Sequence, residues 1–139
     1  MNNTPFVTTH IKWIMLVSGV LTATMLAAAI APESTFRSNF GETLSGPAAI
    51  LVVRNWGILI ALVGAMLIYG AYNPPVRRLV VFVAAASKLS FIVLVLSAGT
   101  TYLQFQAGIA AVVDLLAVVL FSIFLLSPSG SRHHFVNDD

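Results

Sequence analysis

Three ionisable side chains, Arg54, Lys88 and Asp114, stand inside long apolar runs of the sequence. A charge placed there does one of two things. It pairs with an opposite charge as a clamp between helices, or it holds the polar head of a ligand, an anion or a proton in apolar surroundings. Together the three would form a buried cluster with one positive charge in excess. Glu33 or Glu42, from the loop that follows the first apolar segment, could balance that excess, as could a bound anion. Other chemistry has little to stand on. The chain has no cysteine, which removes disulfides, thiolate catalysis and cysteine metal ligands. His133 and His134 are adjacent and so cannot share one helical face around a metal. No glycine-rich phosphate loop, His-Glu-x-x-His pattern or nucleophile–base set occurs. No catalytic residue, metal or cofactor is assigned on this reading.

The elements that must position these residues follow from composition. Of 139 residues, 58% are hydrophobic and 9% charged, and the mean hydropathy is +0.94. A soluble domain carries roughly a quarter charged residues. So few could not coat a globule in water, and the chain reads as an all-α integral membrane protein. The net charge is +2, with no basic run, and gives no footprint for nucleic acid.

Four segments are long enough to cross a hydrocarbon core of roughly 30 Å. They run over about 11–31, 47–72, 76–98 and 107–126, and together make one four-helix domain over 1–139. The end of the first, AAAIAPES, resembles a signal-peptide cleavage site. Its apolar stretch is too long for a signal core and proline follows, so a retained helix is expected. Residues 32–47 form the longest loop, where Pro32 suits a first helical turn and Gly41 a stop. A short amphipathic helix is expected there, lying on the membrane with Phe36 and Phe40 facing down.

The second segment carries a stripe of small residues, Gly57, Ala61, Gly64 and Ala65, with Arg54 placed on the same face. Such stripes let another helix backbone approach closely. Depths then group the charges. Lys88, twelve residues into the third segment, lies roughly 18 Å from its start. Asp114, seven residues into the antiparallel fourth, lies roughly 10 Å from the opposite boundary. The two heights nearly coincide, so pairing is expected.

Orientation follows from basic residues in short flanks. Lys12, Arg77, Arg78 and Arg132 share one side; Arg37 lies on the other, joined by Arg54 if its side chain snorkels outward. Four against one or two predicts both termini in the cytoplasm. Trp13, Tyr69 and Tyr72 would mark the inner interface, and Trp56 and Tyr102 the outer.

Ala31–Pro32, Phe40–Gly41, and Arg54 followed by Gly57 and Gly64 resemble the pattern of the DoxX-like group of bacterial four-helix membrane proteins. The resemblance implies a compact bundle in the bacterial inner membrane. It also implies association with quinone-linked oxidoreductases or with membrane-protein assembly. Arg54 is the one charged position it matches. Three roles are therefore expected. The first is a non-enzymatic accessory or assembly subunit that contacts lipids, other membrane proteins or its own copies. The second is a quinone- or small-ligand-binding subunit of a redox complex, and the third a proton- or anion-coupled carrier acting as an oligomer.

Overall fold

The computed structural model describes residues 6–128. The polar tail with Arg132, His133, His134, Asp138 and Asp139 lies outside the described residues. Within them the chain is helical, with four helices long and apolar enough to cross a membrane, and the protein is an all-α, multi-pass membrane bundle.

The first span, Phe6–Ile30, is not one regular helix. It consists of α1 (Phe6–Ala23), one turn of 3-10 helix (Thr24–Leu26) and α2 (Ala27–Ile30). It begins five residues before the expected Ile11, because Phe6 and His10 continue the helix as a stacked pair 4.1 Å apart. Pro32 then opens α3 (Pro32–Phe40), which Gly41 ends at φ 74°, a left-handed turn that suits glycine. The second span, α4 (Pro47–Tyr72), has the expected limits, with proline in its first turn. The third, α5 (Pro74–Ser97), starts two residues earlier than expected. Pro74 lacks the N–H that a first turn leaves unpaired, so the diproline initiates the helix. A 3-10 segment (Thr100–Gln104) leads into α6 (Gln106–Leu126).

The first span packs most extensively on α4, and glycines make that seam. A methyl group on Gly64 would lie 2.6 Å from the Ala23 nitrogen and 2.7 Å from the Gly19 carbonyl oxygen. One on Gly57 would lie 2.7 Å from the Ala28 methyl, and one on Gly19 would lie 2.8 Å from the Gly64 oxygen. Backbones therefore touch across the seam, which only residues without side chains allow. Ala61 is half-buried beside it, whereas Ala65 is exposed and belongs to another face. Successive residues turn about 100°, and that one step carries Ala65 off the stripe. Below the seam, Met15, Leu67, Val81 and Phe121, one from each span, are fully buried and centre the core.

Arginines hold the end where α4 and α6 finish. Arg77 donates from Nε to the Gly70 carbonyl at 3.2 Å and from a terminal nitrogen to Ala71 at 2.8 Å. Arg78 donates to the carbonyls of Leu125 and Ser127 and lies over the Phe124 ring. Both therefore satisfy carbonyls that a helix C-terminus leaves without partners. Lys12 sits 4.5 Å from the centre of the Tyr72 ring at this same end.

At the opposite end, α3 folds over the bundle. Phe40 packs on Phe36, on Trp56 of α4 and on Tyr102, at centroid distances of 5.0, 6.0 and 5.7 Å. The two phenylalanines thus pack on protein aromatics, where the sequence suggested a face laid on lipid.

Candidate functional site

Lys88 lies midway along α5 and is 7% exposed, buried with Val81, Ala84, Ile92 and Val95 of the same helix. Its ammonium group pairs with the Asp114 carboxylate of α6 and donates to the Thr22 hydroxyl of α1 at 3.0 Å. Three spans thus converge on one nitrogen. An ammonium has three donors, and two are engaged here; among the described residues the third has no partner. The carboxylate side chain is 18% exposed, so one side of the pair remains open.

That open side faces a groove of about 870 Å³. It runs between α1 and α6, with Ile60 and Val63 of α4 and Ser87, Lys88 and Phe91 of α5 behind them. Its lips are exposed apolar side chains, Trp13 and Val17 on α1 and Ile109 and Leu116 on α6. The groove therefore opens sideways, where lipid chains would lie. At the α3 end its lining turns polar, with Ser34, Thr35, Ser38, Asn39 and Gln106. Asn39 is buried and donates to its own helix, at the Thr35 carbonyl, 2.8 Å away.

Of the residues expected to cluster, Lys88 and Asp114 meet. Arg54, Glu33 and Glu42 do not join them, and all three are exposed. Val53 and Gly57 mark the buried face of α4, and Arg54 is one residue past Val53, about 100° around the helix. Its long side chain reaches outward instead of inward. Glu33 lies in the first turn of α3, where a carboxylate complements the helix dipole. Glu42 follows Gly41 and accepts a hydrogen bond from the Tyr102 hydroxyl at 2.7 Å. That bond, then the carboxylate's charge, then burial hold the Tyr102 phenol above its ordinary pKa. The excess positive charge vanishes with Arg54 outside, since Lys88 and Asp114 balance each other.

Thr22 escaped the sequence reading. A depth count on the first span would have found it: Thr22 lies 16 residues after Phe6, and Lys88 lies 14 after Pro74 on a parallel span. Ser18, one turn before Thr22, is buried on the same face and also lines the groove. Compared with family models, curated proteins and solved structures, the chain has no match.

Proposed function

We propose that this is a ligand-binding membrane protein, and that the lateral groove takes a lipid-soluble molecule with a carbonyl- or hydroxyl-bearing head, the quinone class. One observation carries the reading: a charge-balanced donor–acceptor pair stands inside an apolar groove that opens toward the lipid. A volume of about 870 Å³ lies within the roughly 300–1,000 Å³ usual for ligand pockets. The free N–H of Lys88 suits a carbonyl oxygen, and the exposed side of Asp114 suits a hydroxyl. The pair is neutral overall, which favours an uncharged head over an anion. A small-residue face left open to a partner helix would support the accessory-subunit role. Gly57 and Gly64 are covered by the protein's own first span, which weakens that support.

The setting we propose is the bacterial inner membrane with both termini in the cytoplasm. Its support is the gathering of Lys12, Arg77 and Arg78 at one end of the bundle. The DoxX-like resemblance is compatible with this reading and adds no residue to it.

The test is to extract the protein in native nanodiscs and identify the small molecules it carries by mass spectrometry. Wild type should retain a quinone-class molecule, and the Lys88→Met/Asp114→Leu variant should lose it. Equal amounts with both proteins, or none with wild type, would refute the proposal.

A further inference from the structure

A second hollow, of about 390 Å³, lies at the α3 end of the bundle on the other side of Trp56 and Phe91. Phe36, Phe40, Trp56, Phe91 and Tyr102 all line it, and Glu42 stands among them. Three of the rings are fixed by contact with Phe40: Phe36 and Trp56 are tilted at 45°, and Tyr102 is edge-on at 85°. Aromatic faces are electron-rich and attract a cation within about 6 Å of their centres. The carboxylate adds a full negative charge. Arg37 is only five residues earlier, yet among the described residues no lysine or arginine pairs with Glu42. Its one bond is to the Tyr102 hydroxyl, which keeps the charge beside the rings.

Anchoring at a membrane surface accounts for single aromatic residues, which need only meet the headgroup layer. It does not account for five rings around one hollow with an unpaired carboxylate. We propose that this niche binds a quaternary ammonium group, held by the rings and by Glu42. Methylated ammonium carries its charge on a greasy, weakly hydrated surface and loses little on leaving water for an aromatic box. A lysine-like ammonium is strongly hydrated and fits such a box less well. The group could arrive on a lipid headgroup or on a soluble amine. This site shares no polar residue with the groove and stands whether or not the groove binds a quinone.

Trp56 provides the readout once the only other tryptophan is replaced by Trp13→Phe. Benzyltrimethylammonium is titrated into this protein in maltoside micelles while tryptophan emission is followed. Its uncharged isostere, neopentylbenzene, is titrated in parallel. The cation should give a saturable change, and the isostere should not. Glu42→Gln should weaken binding about tenfold with an unchanged melting temperature, since Glu42 is exposed. Tyr102→Phe keeps the ring and the carboxylate but releases Glu42 from its hydroxyl, and should weaken binding less than Glu42→Gln does. Saturation by both probes alike, or indifference to Glu42→Gln, would reduce the niche to an apolar patch and overturn the proposal. The same titration in nanodiscs separates the sources. A response in phosphatidylglycerol that phosphatidylcholine abolishes assigns the site to a lipid headgroup. A response in both assigns it to a soluble amine, and no response in phosphatidylglycerol overturns the proposal.

Discussion

Replacing Asp114 with Asn leaves a lysine in the bundle interior with one neutral partner, Thr22. The lysine side chain is 9% exposed and the aspartate 18%, so water screens the pair little. Removing one member of such a pair costs roughly 3–5 kcal/mol, because the remaining charge stays buried without compensation. That is about a 10²- to 10⁴-fold loss in the folding equilibrium, a large share of a typical total of ~5–15 kcal/mol. Removing both charges has a different consequence. Lys88→Met with Asp114→Leu keeps approximate volume and leaves no ion, and such replacements are often neutral or stabilising. Thr22 would then turn its hydroxyl back to the carbonyl four residues earlier, as threonines in helices do. Reversible unfolding in mixed micelles, followed by helical circular dichroism, measures the four members of the cycle, wild type, Lys88→Met, Asp114→Leu and the double variant, beside Asp114→Asn. The expected result is a damaged Asp114→Asn single variant and a double variant close to wild type. If the losses in the double variant simply add, within about 0.5 kcal/mol, the two groups are energetically independent. The pairing at the centre of the site would then be wrong.

The glycine seam predicts that Gly64→Ala destabilises by ~1–3 kcal/mol, since the new methyl meets backbone that cannot yield. Ala65→Leu, on an exposed face of the same helix, should leave the unfolding midpoint unchanged. Tyr102 should ionise above an ordinary phenol, and Glu42→Gln should bring it back down. Ultraviolet titration of a Tyr69→Phe/Tyr72→Phe background reads this directly. Because the folded state holds that proton more tightly, any contribution to stability is complete below the unfolded phenol value of about 10. It disappears as the pH rises through the folded value. A reporter fused after Asp139 should be active in its cytoplasmic form, and periplasmic activity would reverse the orientation.

Limits of the helices were legible at Pro32, Gly41 and Pro47, whereas the diproline at Pro74 reads as a break and proved to be the first turn of α5. The 3-10 turn at Thr24–Leu26 lies in a stretch with neither proline nor glycine, and nothing in TMLAAAI announces it. Depth was also legible, because helical rise is regular, and a count of residues brought Lys88 level with Asp114. Angular position was harder to read. A soluble helix shows its buried face by contrast with a polar one, but lipid-facing and core-facing residues here are equally apolar. The face of Arg54 was therefore inferred from nearby glycines, and an error of one residue in the centre of that stripe turned it inward. Thr22 was overlooked for a related reason: a hydroxyl in a membrane helix normally bonds to its own backbone and signals no tertiary partner. Phe36 and Phe40 mark α3 as amphipathic, yet a greasy stripe reads the same whether it meets lipid or the aromatic end of a bundle.

The short 3-10 turn in the first span has a consequence for phase. Residues wound at 3.0 per turn advance about 120° each, against about 100° in an α-helix. Three of them, Thr24–Leu26, rotate everything beyond by about 60° relative to a regular helix. Counted from Met15 at the centre of the core, a regular winding would set Ala28 about 220° around the axis and Ala29 about 320°. The added twist brings them to about 280° and about 20°, toward the bundle axis. Both alanines thereby come closer to the face of Met15, and Ala28 is fully buried against Gly57 although it is out of step with Gly19 and Met15. The turn works as a vernier between two lengths of screw. It lets one antiparallel span meet both glycines of α4.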